Sequence, residues 1–158
     1  MKKIIAASLV AAALASGNAQ AGSTSGQFNV NVTLTSACTV SAVTNVAFAY
    51  TSLQAAIANG TGGGFSVSCT NSLPYTFGLQ SGSGAATPPG AATIAVTDNA
   101  VNLNYSLGLS AAGGTGSGAA QSYSVTGTMA GSQAGTCAAA SCTNGAATNK
   151  THTLILNY

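Results

Sequence analysis

Side chains that could do catalytic chemistry are scarce in this chain, which holds one acidic residue, Asp98, and one histidine, His152. General acid–base catalysis needs two titratable groups with separated pKa values, and glycoside hydrolysis needs two carboxylates. A serine could join Asp98 and His152 on paper, but no G-x-S-x-G motif supports such a triad. We therefore predict that the chain is not an enzyme and needs no cofactor, with Asp98 in an exposed loop and His152 in a strand.

Charged residues make up only 3% of the chain, and the three cations are Lys2, Lys3 and Lys150. A nucleic-acid-binding protein needs many lysines or arginines to displace the counterions of phosphate groups. The glycine-rich stretches lack the lysine of a P-loop and are predicted to be turns. The composition therefore argues against nucleic-acid and nucleotide partners.

The beginning of the chain has the layout of a secretory signal peptide. Lys2 and Lys3 precede an apolar run over residues 4–14, and Ala19-Gln20-Ala21 is an A-x-A cleavage site. The apolar run is too short to span a bilayer, although an N-terminal membrane anchor is the alternative interpretation. We predict a signal peptide over residues 1–21 and a secreted chain over residues 22–158, with no membrane insertion after cleavage.

All four cysteines follow the predicted signal peptide, which in an exported protein points to disulfides. Four cysteines allow three pairings, and we favour Cys38–Cys69, which would tie two early strands, and Cys137–Cys142, which would close a small loop. A zinc site is the competing interpretation. It is disfavoured because the chain has no C-x-x-C pair and only one histidine.

The elements that would position these residues have a hydrophobic period of two, which is typical of β-strands. Glycine, proline, serine and asparagine clusters separate the strand-like runs. Seven or eight short strands separated by turns predict an antiparallel β-sandwich in one domain. We expect one or two helical turns over residues 52–58 and a turn at Asn144-Gly145. The predicted strands cover residues 28–34, 40–50, 66–70, 75–80, 93–97, 101–109, 121–129 and 151–158.

The segment over residues 27–35 alternates most cleanly, with Phe28, Val30, Val32 and Leu34 on one face. Burying four such side chains is worth about 6–12 kcal/mol before ordering costs, which is comparable to the stability of a whole domain. The strand could add to its own sheet or to the sheet of another molecule by β-augmentation. The sequence leaves both possibilities open.

The order of several motifs resembles the spore coat protein U domain family, which includes the archaic, Csu-type chaperone–usher pilins. The motifs are the alternating N-terminal strand, then Thr-Ser-Ala-Cys38-Thr-Val-Ser, Phe65-Ser-Val-Ser-Cys69-Thr, Pro74-Tyr75-Thr-Phe-Gly-Leu, Leu103-Asn-Tyr105-Ser-Leu and Thr153-Leu-Ile-Leu-Asn-Tyr158. The resemblance implies an incomplete immunoglobulin-like antiparallel sandwich over residues 37–158. By the same resemblance, this sandwich would be completed by a donor strand, first from a periplasmic chaperone and then from residues 22–36 of a neighbouring subunit.

The same resemblance implies roles for individual residues. Phe28, Val30, Val32 and Leu34 would be the donor residues, and Leu154, Leu156 and Tyr158 would lie on the edge strand that borders the acceptor groove. Cys38 and Cys69 match the disulfide of the family.

Three features depart from the family pattern: the last strand has no acidic residue near its start, Cys137 and Cys142 are an addition, and charged residues are nearly absent.

The resulting functional prediction is a fimbrial subunit that polymerises by donor-strand exchange and supports adhesion and biofilm formation. Its partners would be identical or related subunits, a periplasmic chaperone and an outer-membrane usher, and it would reach the cell surface through the periplasm. The first alternative is a secreted coat or matrix protein of the same fold whose N-terminal strand pairs within its own domain. The second is a carbohydrate-binding module.

Overall fold

A computed structural model describes residues 22–82 and 84–158 of the chain, so the predicted signal peptide lies outside the described residues. The chain divides into two units between Thr33 and Leu34. In the first unit, residues 22–33 form no helix or strand. The strand expected over residues 28–34 is therefore not formed within the single chain.

The second unit is built from short antiparallel strands. Its strands alternate in burial because successive side chains of a strand point to opposite faces, as in the buried and half-buried alternation over residues 64–69. The strands are β1 (Cys38–Val40), β2 (Val46–Ala47), β3 (Ala58–Asn59), β4 (Thr61–Gly62), β5 (Gly64–Cys69), β6 (Pro74–Ser81), β7 (Thr93–Thr97), β8 (Asn104–Leu109), β9 (Gly113–Thr115), β10 (Gln121–Met129) and β11 (His152–Asn157).

The strands form two main antiparallel sheets and one small one. The larger sheet has the order β1-β5-β10-β8-β7, and β3 pairs with the end of β10. The second sheet has the order β11-β6-β9, and β2 pairs with β4 in a two-stranded ribbon. The fold is all-β, and its curled antiparallel sheets are those of a β-sandwich, as predicted.

Apolar side chains from both main sheets meet in one core. Phe65 of β5, Phe77 of β6 and Tyr123 of β10 pack with ring centroids 4.8–5.8 Å apart. The Tyr75 hydroxyl lies 2.7 Å from that of Tyr123, and burial together with this hydrogen bond raises the pKa of Tyr75 to about 12. The buried members of the core are Phe65, Val67, Cys69, Tyr75, Phe77, Leu79, Leu107 and Val125.

Both favoured disulfides are present. Cys38–Cys69 joins β1 to β5 at directly opposite positions with a Cα–Cα distance of 4.1 Å, and Cys137–Cys142 closes a loop between β10 and β11. Cys69 is buried in the core, whereas Cys137 and Cys142 are exposed. The first disulfide therefore joins the core, and the second constrains a surface loop.

The prediction of helical turns over residues 52–58 is wrong. Leu53 has a left-handed φ of 62°, and its N–H donates to the carbonyl of Gln133. The Ser52 hydroxyl donates to the carbonyl of Ala134, and the N–H of Ser132 donates to the carbonyl of Gln54. Residues 132–133 thus bond to backbone groups of Leu53 and Gln54 that a helix would pair internally. Residues 52–58 therefore form a loop alongside the β10–β11 connection.

Two other expectations needed adjustment. Of the predicted strand over residues 40–50, only Val40 (in β1) and residues 46–47 (β2) form strands. The glycine-rich stretch over residues 113–118, which belongs to those predicted to be turns, contains β9. Asn144–Ala146 forms a single 3₁₀ turn, close to the predicted turn. Among residues 22–82 and 84–158, no helix is long and apolar enough to cross a membrane.

Candidate functional site

The last strand, β11, carries the features that could bind a partner. It pairs antiparallel with β6, with Leu154 opposite Leu79 and Leu156 opposite Phe77. The N–H and C=O of Leu79 both bond to Ala91, and the N–H of Phe77 donates to Ala112, so these groups point away from β11. Antiparallel partners that do not exchange hydrogen bonds each direct their backbone groups to the opposite side. The N–H and C=O of Leu154 and Leu156 therefore point outward, away from β6.

The outward edge of β11 has no strand partner among the described residues. An edge strand with free N–H and C=O groups is a ready template for pairing with another chain. The backbone of β11 thus supplies the hydrogen-bonding half of a strand-binding site.

The side chains of β11 supply an apolar half. Leu154 and Leu156 pack against the core but stay half-buried, and the final Tyr158 is 63% exposed. Ile155 points to the opposite face of the sheet, where it is only 3% exposed. A Cβ placed on Gly90 would lie 3.1 Å from the Cδ1 of Ile155, which shows how closely that loop covers the outer face. The unfilled apolar surface of β11 is therefore on its core-facing side.

Tyr158 lies one residue beyond the end of β11, and its exposure is much greater than that of the two leucines. The structure thus brings Leu154 and Leu156 together along one edge and leaves Tyr158 at the end of it.

The beginning of β11 contacts the larger sheet through a polar pair. The Nε2 of His152 lies 2.9 Å from the hydroxyl of Tyr105 on β8, and the two ring centroids are 6.0 Å apart. The Phe48 ring also packs against Tyr105, with the ring centroids 5.6 Å apart. The Nδ1 of His152 is buried without a hydrogen-bond partner, and burial lowers the pKa of the imidazole. His152 lies in a strand, as predicted, but its pairing with Tyr105 was not foreseen.

The four apolar residues predicted to be donor residues lie near the start of the described residues. Phe28, Val30, Val32 and Leu34 have exposures between 73% and 85%. A soluble domain seldom exposes several large apolar side chains in succession unless they serve a binding surface. Their alternation places all four on one face of an extended strand.

The prediction that Asp98 lies exposed is wrong, because its exposure is only 2%. Its Oδ1 accepts hydrogen bonds from the N–H groups of Ala100 (2.8 Å) and Val101 (2.9 Å). Burial raises the pKa of this carboxyl, but the hydrogen bonds from the N–H groups of Val101 and Ala100, the side chain of Asn144 and the charge of Lys150 together outweigh burial, so the pKa is lowered. Asp98 closes the turn after β7, a role that its Asp-Asn-Ala-Val context could have indicated.

The arrangement offers little for catalysis or metal binding. The single carboxylate and the single imidazole hydrogen-bond to different groups, and in the part of the chain that the structure describes no three His, Cys, Asp or Glu side chains form a metal-binding group. The described residues can instead form backbone hydrogen bonds between β11 and an added strand, and can bury apolar side chains of that strand beside β11.

Comparison with known proteins identifies the chain at the level of a family. The Spore Coat Protein U domain model matches residues 24–153, which include the exposed N-terminal segment as well as most of the sandwich. No curated protein and no solved structure shows a significant match. Proteins of this family are structural, of the pilin or spore-coat type, and are associated with the cell exterior rather than with catalysis. Since the match covers well over half of its length, the chain belongs to the spore coat protein U domain family.

Proposed function

We propose that this chain is a structural subunit that polymerises into a surface filament, residues 22–36 of one copy pairing with β11 of the next. The observation that carries this proposal is the outward-facing backbone of Leu154 and Leu156, whose side chains are half-buried beside it. The family membership is consistent with such a role. On this proposal residues 22–36 are a donor extension, and residues 37–158 are the domain that receives the donor.

The spacing of the two segments supports the pairing. Residues directly opposite each other in a sheet place their side chains on the same face, so an apolar donor position belongs opposite a core-facing position of β11. Four donor positions, 28, 30, 32 and 34, then match four positions on the receiving edge, 152, 154, 156 and 158. An antiparallel alignment places Phe28 opposite Tyr158, and Leu34 opposite His152.

A head-to-tail contact of this kind uses different surfaces on the two copies, and it generates an open filament rather than a closed ring. Until a donor arrives, the exposed edge invites wrong pairing, which is the physical reason for a periplasmic chaperone. In this proposal the subunit passes through an outer-membrane usher into a fimbrium on the cell surface. There it supports adhesion and biofilm formation.

Matched charge substitutions on the two faces of the donor test the proposal. One full chain carries Val30→Asp and Val32→Asp on the apolar face, and its control carries Asn29→Asp and Asn31→Asp on the polar face. Both add two negative charges to the same segment. We expect the control to form filaments and the apolar-face variant to stay monomeric, as measured by size-exclusion chromatography and electron microscopy.

Two results would oppose the proposal. Filaments formed equally by both variants would show that the N-terminal segment is not the donor. Loss of folding by circular dichroism in the apolar-face variant alone would favour the coat-protein alternative, in which this segment completes its own domain.

A further inference from the structure

His152 is the only histidine of the chain and the first residue of the strand that carries the open edge. Its Nε2 is hydrogen-bonded to the Tyr105 hydroxyl at 2.9 Å, whereas its Nδ1 is buried and has no partner. One ring nitrogen is therefore satisfied, and the other is sequestered from water.

Protonation of the His152 imidazole would be unfavourable in this environment. An imidazolium carries an N–H on both nitrogens, and the buried Nδ1–H would have neither water nor an acceptor. Tyr105 on β8 is an uncharged partner. Burial raises the pKa of Tyr105, and the Asp98 carboxylate is near enough for its charge to raise that pKa further. The Oδ1 of Asp98 accepts from the N–H groups of Ala100 and Val101, its Oδ2 is buried without a hydrogen-bond partner, and neither oxygen bonds to His152. Lys150, two residues before His152, is exposed and donates to the carbonyl of Gly145. Among the described residues no carboxylate is hydrogen-bonded to the ring to compensate its charge.

We propose that His152 makes strand capture by β11 pH-dependent, with acid weakening the hold on the incoming strand. The inference deepens the proposed function and rests on it. A strand added along the outward edge would cover the half-buried His152 further, so the charged imidazole becomes less favourable in the paired state than in the open one. Pairing then expels a proton, and a process that expels a proton becomes less favourable as the pH falls.

The composition of the chain allows the titration of His152 to be distinguished from that of other groups. All four cysteines are in disulfides, and the chain has a single histidine and a single carboxylic side chain. Between pH 5.0 and 7.5 the side chain that ordinarily changes charge is histidine, and the α-amino group is the other group near this range.

The test measures binding of a fluorescent peptide of residues 22–36 to a full chain whose own donor is disabled by Val30→Asp and Val32→Asp. Three acceptors are compared at pH 5.0 and 7.5. The first keeps His152, the second carries His152→Gln, and the third combines His152→Gln with Thr151→His. Position 151 is exposed, so the third acceptor keeps the imidazole but moves it out of the buried site.

We expect the first acceptor to bind the peptide at least about threefold more weakly at pH 5.0, within the limit of tenfold per pH unit for one linked proton. The other two acceptors should show little pH dependence. Equal pH dependence in all three would overturn the role of His152 while leaving strand donation intact. Absence of peptide binding by all three at pH 7.5 would refute strand donation itself, and the pH inference with it.

Discussion

Replacing Val32 with alanine tests the claim that one face of the N-terminal segment is what β11 receives. Val32 is 84% exposed in the single chain, so nearly all of its side chain is available for burial when a partner strand forms. The substitution removes two methyl groups, each worth about 0.8 kcal/mol when buried, or about 1.6 kcal/mol together. That free energy corresponds to a roughly 15-fold weaker complex.

The assay is fluorescence anisotropy with a labelled peptide of residues 22–36 and the full chain whose own donor is disabled by Val30→Asp and Val32→Asp. The matched peptide carries Asn31→Ala, which shortens the neighbouring side chain on the opposite face. We expect the Val32→Ala peptide to lose about an order of magnitude in affinity, and the Asn31→Ala peptide to change less than about twofold. Equal losses for the two peptides would refute face-specific recognition, as would an unchanged affinity for the Val32→Ala peptide.

Three further predictions concern the stability of the sandwich, each read from chemical unfolding of the full chain. Replacing the two cysteines of one disulfide with alanine should lower the free energy of unfolding by about 3.7 kcal/mol for Cys38–Cys69 and by about 2.2 kcal/mol for Cys137–Cys142. The first loss is larger because Cys38–Cys69 closes a longer loop and so restricts the unfolded chain more. A larger loss for the Cys137–Cys142 variant would contradict this prediction. Gly78→Ala should destabilise by about 1–3 kcal/mol, because its Cβ would collide with the backbone of the loop over β6, whereas Gly84→Ala meets nothing closer than 3.8 Å and should be neutral. The pKa of Asp98 is lower in the folded chain than in the unfolded chain. Its contribution to the free energy of unfolding is therefore present above about pH 3.8 and is lost as the pH falls through the folded pKa. The Asp98→Asn variant should accordingly show a weaker dependence of unfolding free energy on pH in this acid range.

The limits of two strands of the sandwich were predictable from the sequence. β7 and β10 begin and end at the predicted residues, because their period-two patterns are bounded by glycine, serine and asparagine that stop a strand locally. These limits depend on short-range patterns, which a sequence displays directly. The Cys38–Cys69 disulfide joins residues 31 apart, and it was favoured among three possible pairings and implied by the family resemblance rather than by a local pattern.

Features that depend on distant contacts were not predictable. Residues 52–58 have helix-compatible composition, yet their backbone groups bond to a segment about 80 residues away. Asp98 appeared to be a polar loop residue, but the turn it closes folds its carboxyl inward. The Tyr105–His152 pair joins residues 47 apart, and neither residue alone signals the other. In each case a tertiary contact overrides the local pattern.

The receiving edge itself was expected only through family resemblance, and its geometry gives an independent argument. A poorly packed terminal strand would be loose on both of its faces and along its edge. β11 differs, because Ile155 is sealed on the outer face by the loop at Gly90, and six consecutive residue pairs join it to β6. Its outward edge lacks a strand partner among the described residues, and Leu154 and Leu156 on the adjoining core-facing side stay half-buried. A deficit confined to one row of backbone groups and one row of apolar side chains has the shape of a missing strand, which is the physical basis for expecting another chain to fill it.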